Sequence, residues 1–109
     1  MRRMGMVIRV RPEKIAEYKR LHADPSPEVN ALLSGCGVRN YSIYLREPEN
    51  LLFGYWEYHG ADWPADAARL GEEPAIRVWL AQTDPCQEKL ASAGPDEWWA
   101  AMEEVFHLD

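Results

Sequence analysis

Tyr18 and His22 lie four residues apart in a stretch with helical spacing, so a phenol and an imidazole can share one face of a turn. Histidine is the side chain whose ordinary pKa lies nearest neutrality, which suits it to giving and taking protons. Tyrosine offers a flat apolar face with a polar tip. A second tyrosine-bearing run, Asn40-Tyr41-Ser42-Ile43-Tyr44-Leu45, follows shortly after. A histidine among tyrosines is what a small polyhydroxylated ligand such as a sugar needs.

The elements that would position these groups can be read from periodicity. Met6, Ile8 and Val10 alternate with Gly5, Val7 and Arg9, a strand pattern over Met4 to Val10. Pro12 and Glu13 then suit the first turn of a helix carrying Ile15, Tyr18, Leu21 and His22 on one face. Ser26 is placed to cap a second helix, with Pro27 at its first position and Val29, Leu32 and Leu33 as its apolar stripe. Gly35 and Gly37 stop it. Val38 to Leu45 and Leu51 to Tyr58 read as two antiparallel strands, with Tyr41 and Ile43 on one side and Ser42 and Tyr44 on the other. Two proline-initiated helices follow, from Pro64 to Leu70 and from Pro74 to Gln82, the latter with Ala75, Val78, Trp79 and Gln82 on a common face. Asp84 to Pro95 is irregular or weakly helical. The tail fits either a helix or a strand, and a β-α-β-β-α-β order selects a strand over Glu103 to Leu108. The result is an α+β chain, a ferredoxin-like antiparallel sheet with helices on one face. Its uncovered sheet face is expected to be buried by pairing two copies into a dimeric α/β barrel.

Composition narrows the function. A chain of 109 residues, 47% hydrophobic and 28% charged, is expected to form one soluble domain over residues 1–109. Its net charge is −6 and its basic residues are dispersed, which argues against nucleic acid. No apolar run approaches the roughly 20 residues needed to span a bilayer, and Met4 to Val10 is too short and interrupted for a signal segment, so the cytoplasm is expected. Cys36 and Cys86 are expected as reduced thiols. No glycine-rich phosphate loop or metal-ligand spacing is present, so no metal and no cofactor are expected.

The residues together resemble the L-rhamnose mutarotases, a family of small cytoplasmic dimeric α+β-barrel enzymes. The resemblance rests on Glu17-Tyr18 with His22, Pro27-Glu28, Asn40-Tyr41-Ser42-Ile43-Tyr44-Leu45 and Asn50-Leu51-Leu52-Phe53. Trp79 with Asp84, and Glu104-Val105-Phe106-His107-Leu108, extend it over nearly the whole chain. It implies that His22 is the catalytic acid/base, and that Tyr18, Tyr41 and Trp79 bind the sugar. A Trp-Trp pair of that family reads Val78-Trp79 here, and Ser26 stands where it usually has a tryptophan. The segment from Pro85 to Trp99 also departs from the family's loop, with Trp98 and Trp99 as candidates to refill the lost aromatic volume. The implied reaction opens a reducing sugar to its aldehyde and closes it on the other face, interconverting the α and β anomers. One group protonates the ring oxygen and a base takes the anomeric proton. The substrate would be a monosaccharide, L-rhamnose first and L-fucose or another deoxy sugar next. Two rivals share the fold: a cofactor-free monooxygenase or isomerase, and a non-catalytic ligand-binding module. His59 reads as a solvated turn residue, His107 as a pocket candidate at the chain's end, and Asp62, Asp66 and Asp84 as carboxylates that nothing places near His22.

Overall fold

The structure, a computed structural model, describes residues 1–109. Nine elements follow in order: β1 (Arg2–Val10), α1 (Ile15–Ala23), α2 (Pro27–Gly35), β2 (Val38–Arg46), β3 (Leu51–Tyr58), α3 (Trp63–Glu72), α4 (Pro74–Thr83), β4 (Gln87–Glu88) and β5 (Ala100–Met102). Short 3₁₀ turns at Pro12–Lys14 and Asp84–Cys86 lead into α1 and β4. The strands form one antiparallel sheet in the order β2-β3-β1-β4, with β5 also paired to β1. The sheet curls into a half-barrel with the helices packed against one face, the α+β arrangement expected from the alternation.

β1 is the hub because Met4, Met6, Ile8 and Val10 are apolar and its backbone is bonded along both edges. Ile8 lies opposite Leu52 of β3, and both are fully buried. Burying side chains of this size contributes about 1.5–3 kcal/mol each. They join Val10, Tyr18, Leu21 and Cys86 in one core cluster. Val38, Trp56 and Tyr58 form a second cluster, against which Trp63 of α3 packs.

Local chemistry sets the helix ends. The Ser26 hydroxyl accepts from the Val29 N–H and caps α2, with Pro27 following. Asp62 caps α3 in the same way through the Ala65 N–H. Gly37 ends the α2 turn at φ +101°, where a Cβ would meet the Gly60 nitrogen at 2.7 Å. Only glycine combines that backbone with that closeness.

Three expectations need correction. The last strand is Ala100–Met102, not Glu103–Leu108. Gly5 pairs with Met102, so the antiparallel register carries residue 105 to Arg2, where β1 begins. Pairing stops short of that point, at Met102; from Phe106 onward no strand is left to join, and Val105, Phe106 and Leu108 stand 79–87% exposed. In α4 the inward side is Ile76, Trp79 and Thr83, whereas Val78 is 63% exposed and Gln82 is exposed. Apolar residues lie all round this helix, so only packing against its neighbours selects the buried stripe. The segment after Asp84, expected to lack a strand, carries the two residues of β4.

The other face of the sheet carries Val7 and Phe53, paired across β1 and β3 and half-buried. Tyr44, opposite Phe53, is 66% exposed, and Met102 is 41% exposed. No helix covers these side chains.

Candidate functional site

A cavity of about 760 Å³ opens between α1, α2, α4 and the helix-facing side of β2. Its size falls in the range of small-molecule sites. Tyr18, His22, Tyr41 and Trp79, the four residues singled out in the sequence, all line it.

The i, i+4 spacing on α1 brings the Tyr18 and His22 rings to a centroid distance of 4.3 Å. The Trp79 ring meets the imidazole edge-on at 5.1 Å from the α4 side. His22 is thus held between two aromatic rings. Its Nδ1 lies 2.8 Å from the Tyr18 carbonyl oxygen. A carbonyl only accepts, so Nδ1 carries a hydrogen and donates it. Nε2 has no partner within the chain, which leaves it free for a ligand. No aspartate or glutamate lines the cavity; its charged lining residues are Lys19 and Arg39.

Tyr41 reaches the cavity because β2 carries a bulge. Arg39 pairs with Glu57 and Ser42 with Tyr55, so Asn40 and Tyr41 together oppose Trp56 alone. Asn40 takes up the extra residue in the left-handed region at φ 52° and donates its side-chain N–H to Glu57 Oε1 at 2.8 Å. The added residue lets Val38 and Tyr41, three apart, both face the helices, whereas a regular strand would turn one of them outward. Tyr41 packs near Trp56, with ring centroids 6.5 Å apart.

Both pocket phenols are difficult to ionise. Burial pushes the Tyr18 pKa up strongly, the neighbouring Tyr41 oxygen adds to this, and a hydrogen bond from Gln87 only partly opposes it. Burial of its phenol oxygen raises Tyr41 as well, although 42% of that residue's surface is exposed. They act as neutral hydrogen-bonding groups.

Other candidates lie elsewhere. His59 contacts Glu57 on the surface, and His107 pairs with Asp109 in the exposed tail. Asp62 caps α3, Asp66 bonds Tyr58 and Arg69, and Asp84 sits in a 3₁₀ turn; none lines the cavity. Trp98 and Trp99 are not lining residues, so neither refills the pocket. Of the two positions that depart from the expected tryptophans, Ser26 is in the cavity wall and Val78 is not. No group of three or more histidine, cysteine or carboxylate side chains is arranged to hold a metal ion. No helix is long and apolar enough to cross a membrane.

Sequence reasoning missed Gln87. Buried on β4, it donates to the Tyr18 hydroxyl at 3.2 Å and accepts from the Trp98 indole N–H at 2.8 Å. A lone glutamine in an irregular segment gives no pattern to find it by. Asn30 and Ser34 of α2 were missed as lining residues for the same reason.

A family model described as L-rhamnose mutarotase matches residues 3–108. The chain is 35% identical to an L-rhamnose mutarotase of Sinorhizobium medicae, covering 99% of each chain. It is also 35% identical to one of Mannheimia succiniciproducens, covering 98% of each. The crystal structure of an L-rhamnose mutarotase from Formosa agariphila superposes with a TM-score of 0.78 at 23% identity, over all of both chains. Tetracenomycin F2 cyclase from Streptomyces glaucescens superposes at 0.74 with 15% identity, covering 100% of this chain and 98% of that one. These two superpositions carry the fold alone.

Proposed function

The chain belongs to the L-rhamnose mutarotase family, and on that premise we propose that His22 is the proton-transfer group of its sugar site. The protein is a sugar mutarotase, an isomerase that interconverts the α and β anomers of L-rhamnose by opening and closing the ring. The observation that carries the proposal is the fixed imidazole. Nδ1 is held by the Tyr18 carbonyl, and Nε2 is left to face the ligand. In the neutral ring Nε2 is an acceptor.

The chemistry follows from that tautomer. Nε2 takes the proton from the anomeric hydroxyl while the bond between C1 and the ring oxygen breaks. C1 becomes an aldehyde, and the proton is returned to the former ring oxygen. Rotation about the C1–C2 bond presents the other face of the aldehyde, and the same steps reversed close the ring. Net transfer is one proton between two sugar oxygens, so a single imidazole suffices. Tyr18 and Tyr41 bind sugar oxygens as neutral phenols. Trp79 braces the imidazole and offers an apolar surface to the sugar's C–H face.

The active form is proposed to be a cytoplasmic homodimer of this one domain, closed over the helix-free sheet face that carries Val7, Phe53, Tyr44 and Met102. In support, this face is apolar and no helix covers it.

Saturation-transfer NMR tests the catalytic claim. Exchange between the anomers of L-rhamnose should quicken on adding the protein, with L-fucose run beside it as the nearest competitor. His22→Ala should abolish most of the acceleration. A variant as fast as the parent would remove His22 from the mechanism.

A further inference from the structure

Tyr18 is held by a relay that starts outside the pocket. Trp98 Nε1 lies 2.8 Å from Gln87 Oε1, and Gln87 Nε2 lies 3.2 Å from the Tyr18 hydroxyl. An indole nitrogen can only donate. Trp98 therefore fixes which end of the amide faces it and turns the NH₂ end toward Tyr18. The Tyr18 oxygen must accept from that NH₂, and its own hydrogen has no other taker in the chain. Gln87 is 4% exposed and Tyr18 is 7% exposed, so water is largely kept from scrambling the arrangement.

We propose that Gln87 and Trp98 are positioning residues that make the Tyr18 hydroxyl a one-way hydrogen-bond donor into the sugar pocket. Gln87 is on β4 and Trp98 just precedes β5, so the two strands sharing one edge of β1 supply the relay together. The benefit to the reaction rests on the mutarotase assignment. As the ring opens, negative charge develops on a sugar oxygen, and a donor already aimed at it costs no reorganisation at that moment. Tyr18 transfers no proton in this scheme. It holds one hydrogen bond while the proton travels through His22.

Replacing Gln87 with an isosteric acid reverses the relay. In Gln87→Glu the ionised carboxylate accepts from both Trp98 and Tyr18, drawing the Tyr18 hydrogen away from the sugar. Anomer exchange should fall on the order of 10- to 100-fold at neutral pH. Protonating the introduced carboxyl restores one donor and one acceptor. The activity of the variant relative to the parent should then climb as pH falls, which a purely structural defect would not produce. Gln87→Met frees the Tyr18 hydroxyl without reversing it and should cost less, with no such climb. Full activity in Gln87→Glu, or a ratio constant with pH, overturns the proposal. The relay is also read with no substrate present, from the Trp98 indole N–H signal in ¹H–¹⁵N spectra. Gln87→Met should shift that signal, and an unmoved signal refutes the relay even if no sugar is turned over. A parent protein that accelerates no sugar would count against the mutarotase assignment alone, with the indole signal still deciding the relay.

Discussion

The bulge that turns Tyr41 inward rests on one backbone conformation, and three variants at Asn40 measure it. Asn40 sits at φ 52°, in the left-handed region that asparagine and glycine tolerate and other residues resist. Asn40→Gly and Asn40→Ala both lose the same hydrogen bond to Glu57. Their difference in stability therefore isolates the backbone term. Left-handed backbone costs an alanine roughly 1–2 kcal/mol. Against this, glycine loses about 0.5–1 kcal/mol more conformational entropy on folding. The alanine variant should be the less stable by a net of about 1 kcal/mol, or about 4–8 °C in Tm for a domain near this size. Asn40→Val should be worse still, because a β-branched side chain resists this region most. Scanning calorimetry gives the order parent, Gly, Ala, Val. Sugar KM supplies the functional arm. A β2 that escapes the strain by slipping one residue swings Tyr41 to the helix-free face, so KM should rise in Ala and Val and stay near the parent's in Gly. Equal stability of the Gly and Ala variants would show that the conformation at position 40 is not what sets the bulge.

Two further outcomes are expected. Because the folded pKa of Tyr18 is raised above its ordinary value of 10.0, its contribution to stability is fully present below that value and declines as pH rises past it. Chemical denaturation between pH 9 and about 11.5 should show falling stability in the parent and a flatter profile in Tyr18→Phe; parallel slopes would contradict the assignment. In Tyr58→Phe the buried Asp66 loses one of its two partners and the Asp62 N–H loses its 2.9 Å acceptor. The cost should be about 1–3 kcal/mol by thermal or urea unfolding. Anomer exchange at 25 °C should be unchanged, since Tyr58 does not line the cavity.

Much of this architecture was legible in the sequence, for physical reasons that can be named. The even-numbered apolar residues of β1 and β3 announce their strands because each must face the core in alternation. Tyr18 and His22 could be paired from spacing alone because a helix fixes which residues stack, whatever surrounds it. Tyr41 was placed on the correct side with Ile43, but the bulge that also keeps Val38 inward left no signal beyond an asparagine. The failures share a cause. The place of the last strand depends on its register with β1, and the buried stripe of α4 depends on which neighbours it meets. The Trp98–Gln87–Tyr18 relay joins residues 69 positions apart at its far link. Each is decided by partners distant in the chain, and local periodicity is silent about those.

The central place of β1 also sets a timetable for folding. It is synthesised before every strand it pairs with: β3 does not begin until Leu51, and β5 waits until Ala100. At roughly 5–20 residues per second, the apolar side of β1 stays unpaired for some 2–8 s before β3 can begin to cover it. The half-barrel is therefore assembled late, around a strand that has been waiting, and nascent chains should be most vulnerable to aggregation during that interval.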